Sequence, residues 1–277
     1  MLTRIITGAV ALVIFIPALF FSHTIIFDII IALISLFGTL ELLKCVGLAK
    51  KYLIVAPSCA VAFIVPLLIR YIRHEAIVLI VVAYLFYLLY ASVFARKNIS
   101  TSDIALSFFA TVYVTIAFTS ILVARNLEHG DIIYLMIFIG AWITDTFAYF
   151  TGRFFGRHKL MPNISPKKTV EGAIGGVVFC SLSFVLYGFI ISAMQRFDAE
   201  PYYIILAVAG VFTAVIAIFG DLLASAIKRN YNVKDFGTVF PGHGGILDRF
   251  DSVMAVAPII MIIGASLTYF EEYGLFI

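Results

Sequence analysis

Residues 202–227 read YYIILAVAGVFTAVIAIFGDLLASAI, an apolar run with one charge, Asp221. About 20 such residues suffice for a helix to cross the hydrocarbon core of a bilayer. The stretch is therefore a membrane span with a carboxylate near one end. Similar runs lie at about 5–21, 24–43, 52–70, 76–95, 103–124, 131–152, 171–194 and 252–270, nine in all. Pro17, Pro57, Pro66 and Pro258 fall where they could kink or end these helices. The expected fold is an all-α, polytopic membrane bundle of about nine transmembrane helices. The first run continues straight into the second without a small-x-small cleavage site, so it reads as an uncleaved helix rather than a signal peptide.

Composition agrees. The chain of 277 residues is 63% apolar and 13% charged, with a mean hydropathy of +1.10. A soluble domain runs about 45–50% apolar and about 25% charged. A soluble enzyme, a disordered chain and a secreted disulfide scaffold are excluded. An outer-membrane barrel would show short alternating segments instead. The net charge of +3 is too small for a nucleic-acid binder. Cys45, Cys59 and Cys180 lie in or beside apolar runs without CxxC spacing and read as small buried hydrophobes.

Orientation follows the basic residues. With the N-terminus in the cytoplasm, 15 Lys and Arg fall on the cytoplasmic side, and only Arg70, Arg73, Arg125 and Arg196 fall opposite. The chain reads as one membrane domain, 1–277, with 1–130 mainly scaffold spans. Two long polar connections, about 153–170 and about 228–251, lie on the cytoplasmic side, where function usually concentrates.

The polar residues form two clusters, 142–172 and 221–252. The first begins at Asp145, about two turns inside the sixth span. A lone charge at mid-bilayer costs about 2.5–3.5 kcal/mol on insertion scales, and it persists where it meets a cavity, a partner or a metal. Ser165-Pro166-Lys167-Lys168 and Glu171 then enter a helix, whose N-terminal N–H groups and dipole favour an anion. Two lysines there suit a polyphosphate. In the second cluster Asp221, Ser225 and Lys228 share one helical face. Arg229, Lys234 and Asp235 follow, then Pro241-Gly242-His243-Gly244-Gly245, and then Asp248, Arg249, Asp251 and Ser252. Glycines around His243 allow close backbone approach and offer a phosphate nest. His243 itself reads as a general base, a phosphate contact or a structural residue.

Carboxylates without clustered His or Cys favour Mg²⁺ or Mn²⁺ over zinc. Carboxylates, bases and glycines together are the equipment of phosphoryl or nucleotidyl transfer. No Walker A, GxSxG or HExxH pattern is present.

The stretch from Ser225 to Asp251, with Ser225-Ala226-Ile227-Lys228-Arg229, Lys234-Asp235-Phe236-Gly237 and Phe240-Pro241-Gly242-His243-Gly244-Gly245-Ile246-Leu247-Asp248-Arg249-Phe250-Asp251, resembles the full signature of the phosphatidate cytidylyltransferases (CDP-diacylglycerol synthases). The segment from Asp145 to Gly172 resembles that family's second polar region. Glu41, near the cytoplasmic end of the second span, is a further shared feature. The resemblance implies that CTP and phosphatidate give CDP-diacylglycerol and diphosphate, with a divalent metal. It also implies a potassium ion beside the magnesium, and a homodimer. On this reading Asp221 and Asp248 hold the metal. Lys167, Lys168, Lys228, Arg229, Lys234 and Arg249, with Ser165, Gly244 and Gly245, meet the CTP or lipid phosphates. Asp145, Glu171, Ser225, Asp235, Asp251 and Ser252 support them.

Two rivals differ in substrate or class. One is a cytidylyltransferase for an isoprenoid ether lipid. The other is an anion transporter using Asp145 and Asp221, but transporters tend to carry internal repeats, which this sequence lacks. The expected location is a bacterial inner membrane, with the active site facing the cytoplasm.

Overall fold

In lipid every backbone polar group must find its partner within the protein, and long apolar runs do so as helices. A computed structural model describes residues 15–95, 98–196, 199–240, 242 and 244–272, the side chains of His74 and 268–272 excepted. Its helices are α1 (Ile25–Cys45), α2 (Tyr52–Leu68), α3 (His74–Phe94), α4 (Thr101–Asn126), α5 (Gly130–Phe155), α6 (Val170–Ala193), α7 (Tyr203–Asn230) and α8 (Leu247–Glu272). Seven are long and apolar enough to cross a membrane, and α2, at 17 residues, is shorter. The first expected span lies mostly outside the described residues, of which 15–20 are helical. Pro57 and Pro66 sit inside α2 and Pro258 inside α8 without ending either helix.

Element ends depart from the hydropathy reading where polar residues join the helices. The last helix begins at Leu247 rather than about 252, and α7 runs on to Asn230. The connection after α5 is a short antiparallel hairpin of β1 (Lys159–Met161) and β2 (Ser165–Thr169), paired at Lys159–Thr169 and Met161–Ser165. From β2 the chain turns straight into α6. Thr169 caps that helix, its Oγ1 accepting the Gly172 N–H at 3.2 Å.

The chain divides into two compact units, Met1–Asp131 with Asn230–Phe250, and Ile132–Arg229 with Asp251–Ile277. In the first, α1, α2 and α4 pack together around Phe27, Ile31, Leu42, Ile54 and Phe118, and α3 packs on α2 and α4. The Tyr84 hydroxyl ties three of these helices, lying 2.7 Å from Ser58 Oγ and 3.0 Å from Thr111 Oγ1. Buried Asp28 pairs with Arg70 at 3.0 Å, and Arg70 also donates to the carbonyls of Ser22 and His23. Such polar ties matter in lipid, where no hydrophobic force drives helices together.

In the second unit α6 packs closely on α5 and α7. A Cβ at Gly210 of α7 would meet the Ser181 Cα at 2.6 Å, so only glycine admits that approach. Phe147 stacks on Phe179 at 3.9 Å. Phe86, Tyr90 and Phe94 on α3, and Ile204, Phe212 and Phe219 on α7, are exposed. Apolar faces of this extent are unusual on a soluble monomer and suit contact with lipid tails. Cys180 is buried, while Cys45 and Cys59 are half-buried.

Candidate active site

The first unit holds the glycine-rich segment. The Phe240 N–H donates to the Gly244 carbonyl at 2.9 Å and closes a tight turn, with Gly242 and Gly244 at φ of +80° and +85°. L-residues with side chains avoid that region, so these glycines follow from the turn itself. Asp248, in the first turn of α8, reaches back over the segment. Its Oδ2 accepts the N–H of Phe236 at 2.8 Å and of Gly245 at 2.9 Å.

Glu41 of α1 meets the same segment and is 4% exposed. Its Oε1 accepts the Ile246 N–H and its Oε2 the Leu247 N–H, both at 3.0 Å. These N–H groups open α8 and have no carbonyl within the helix to receive them. Gly237 and Gly245 press against the same carboxylate so closely that a Cβ on either would collide with it. The helix therefore starts where Glu41 receives its N–H groups, five residues before its apolar run. Sequence reading noted Glu41 only as a shared family feature. The available signal was an acidic residue near the end of an apolar span. Its partners lie 205 and 206 positions away in the chain.

The second unit holds the acidic cluster. The carboxylates of Asp145 (α5), Asp221 (α7) and Asp251 (α8) lie within electrostatic reach of one another. Lys168 on β2 pairs with Asp221 at 2.6 Å and approaches the Ile218 carbonyl at 3.5 Å. Lys228 lies near Asp251, and Ser252 beside Asp145. Ser225 Oγ is 3.4 Å from Asp221 Oδ1, as their shared helical face requires. Strand alternation accounts for the lysine pair, with Lys168 turned to Asp221 and Lys167 exposed.

Glu171 anchors the hairpin. Its carboxylate accepts the N–H groups of Arg157 and His158 and pairs with His158 Nδ1 at 2.6 Å. Arg229 Nε points to the Ile164 carbonyl at 3.5 Å, beside the hairpin turn. Ser165 opens β2 and is half-buried. In the first unit Lys234, Asp235 and Arg249 are exposed. His243 and Pro241 lie outside the described residues. An apolar cavity of about 410 Å³ lies beside the acidic cluster, lined by Leu160, Met161, Ile174, Val177, Phe219 and Leu222.

The family resemblance implies a divalent cation, and the donors fit one. No trio of His, Cys, Asp or Glu among the described residues forms a ready cage. Mg²⁺ does not need one, because it keeps several waters and takes one or two carboxylates plus substrate phosphates. Asp221, with Asp145 and Asp251 near it, offers hard oxygen donors of that kind.

The profile of the Cytidylyltransferase family matches residues 2–267. A phosphatidate cytidylyltransferase of Staphylococcus haemolyticus (strain JCSC1435) is 35% identical over 275 residues, covering 95% of this chain and 98% of the relative. Proteins of the same name from Staphylococcus epidermidis (strain ATCC 35984) and Staphylococcus aureus (strain COL) are 36% and 35% identical over 273 residues, with the same coverage of both chains.

Proposed function

The chain belongs to the cytidylyltransferase family, and from that premise we propose that it transfers the cytidylyl group of CTP to phosphatidate, forming CDP-diacylglycerol and diphosphate. It is an integral membrane nucleotidyltransferase of phospholipid biosynthesis. The observation that carries the lipid substrate is the second unit's charged centre. Asp145, Asp221, Asp251 and Lys168 sit among apolar helices, beside a cavity without charged lining. A phosphate on two acyl chains needs that combination.

The chemistry asks little of a protein nucleophile. A phosphate oxygen of phosphatidate, already ionised at neutral pH, attacks the α-phosphorus of CTP and forms the new P–O bond. The bond from that phosphorus to the oxygen bridging to the β-phosphate breaks, and its electron pair leaves with diphosphate. The obstacle is repulsion between two anions, together with charge gathering on the leaving group. Fixed cationic side chains oppose both. Lys167, Lys168, Lys228 and Arg229 serve in the second unit, and Lys234 and Arg249 in the first. The N–H groups of Gly245, Ile246 and Leu247 already meet protein carboxylates, so the proposed backbone contact to phosphate is left to Gly244, beside the cationic side chains. A divalent cation, when bound, neutralises phosphate oxygens. Asp221 and Asp248 are its proposed carboxylates on the family signature alone. Potassium as a second ion and a homodimeric state are proposed on the resemblance alone. The basic asymmetry of 15 to 4 supports an active site facing the cytoplasm at a bacterial inner membrane.

The test is purified protein with radiolabelled CTP, phosphatidate and Mg²⁺. The expected result is a chloroform-soluble nucleotide that disappears in excess EDTA. Absence of that product with phosphatidate would overturn the substrate assignment, and full activity in EDTA would overturn the metal.

A further inference from the structure

We propose that Glu41 is a positioning residue for the reaction: from a span otherwise given to scaffold, it presets the glycine-rich segment and, through it, Asp248 and Arg249. The inference rests on the cytidylyl-transfer reading and adds a residue outside both polar clusters. Four observations carry it, all within the first unit. The side chain is 4% exposed although it ends in a carboxylate. Both of its oxygens are spent on the segment, accepting N–H groups of Ile246 and Leu247 at 3.0 Å. Gly237 and Gly245 bring backbone against it from two sides, where any side chain would collide. Asp248, adjacent to Leu247, holds two more N–H groups of the segment, at Phe236 and Gly245.

A buried carboxylate is costly unless each oxygen is hydrogen-bonded, and here two backbone donors meet that need. The geometry cannot slide. A charge-assisted bond to each oxygen fixes two consecutive N–H groups in distance and direction. Those groups begin α8, so Glu41 sets where the helix starts and how Asp248 and Arg249 leave it. Asp248 then folds its carboxylate back over Gly245. Two acids thus hold four N–H groups, and the segment is set before substrate arrives. Glutamine at position 41 keeps the shape but turns one acceptor into a donor facing an N–H. One of the two bonds then fails, and the segment loses its fixed register.

The test compares Glu41→Gln with Asp28→Asn, a change at another buried acid on the same helix, whose partner is Arg70 rather than the segment. Both variants are purified in detergent, their melting midpoints recorded, and turnover measured per folded molecule against CTP and against phosphatidate. Asp28→Asn is expected to lower the midpoint and to leave kcat/KM for CTP within twofold of wild type. Glu41→Gln is expected to lower kcat/KM for CTP at least tenfold, whatever its midpoint. If Glu41→Gln cannot be extracted folded, Glu41→Asp takes its place. It keeps the charge and both acceptors but withdraws them by one methylene, and its kcat/KM for CTP is expected to fall at least threefold. An effect of the Glu41 variant no larger than that of Asp28→Asn overturns the proposal. An inactive wild-type protein would instead count against the cytidylyl-transfer reading.

Discussion

Asp221→Asn removes one negative charge from a group of three carboxylates and a lysine. Its consequences for stability and for turnover should part company. The Lys168–Asp221 pair is 2.6 Å long, with side chains 23% and 27% exposed. A pair with about a quarter of each side chain exposed lies between a surface pair, worth about 1 kcal/mol or less, and a buried one. Against it stand two repulsions, from Asp145 and Asp251. Removing the charge loses the attraction and relieves both repulsions. The net change in stability is therefore within about 1 kcal/mol of zero, or about 2–4 °C in melting midpoint for a chain of this size. Turnover should fall at least 10³-fold, about 4 kcal/mol of transition-state stabilisation. A third reading isolates the cation. Mg²⁺ at about 100 times its dissociation constant stabilises the wild type by about 2.7 kcal/mol, and this gain should shrink in the variant. The assays are melts of the detergent-solubilised proteins with and without Mg²⁺, and release of diphosphate from CTP. Two results would refute the reasoning. One is retention of more than a tenth of wild-type turnover. The other is a loss of about 3 kcal/mol or more, as when a buried pair loses one partner.

Thr169→Val keeps the shape of the α6 cap but removes the oxygen that accepts the Gly172 N–H. It should cost about 1 kcal/mol, and an unchanged melting midpoint would show that the cap contributes nothing. For topology, single cysteines at Asn163 and Thr238, both exposed, in a background lacking Cys45, Cys59 and Cys180, should react only from the cytoplasmic side. Labelling of either site from outside sealed cells would invert the orientation and close the proposed route for CTP.

Hydropathy alone determined that this chain is a helical membrane protein, because a bilayer leaves a run such as 202–227 no other way to satisfy its backbone. Residue chemistry located the polar clusters as well. Asp221, Ser225 and Lys228 lie on one helical face by spacing, and Lys168 beside Lys167 announces an anion or an acid nearby. What the sequence could not show is which partner each charge takes. Lys168 turns to Asp221, and Glu171 is spent on the backbone of Arg157 and His158. The start of α8 escaped as well, because hydropathy marks where apolar residues begin and says nothing of the polar turn before them. That turn is helical because Glu41 receives its first N–H groups across more than 200 residues of chain. Periodicity and motif spacing are local quantities, whereas a hydrogen bond between distant segments exists only once both helices have packed. The folded structure alone could therefore decide that a carboxylate in a scaffold span holds the segment the signature encodes.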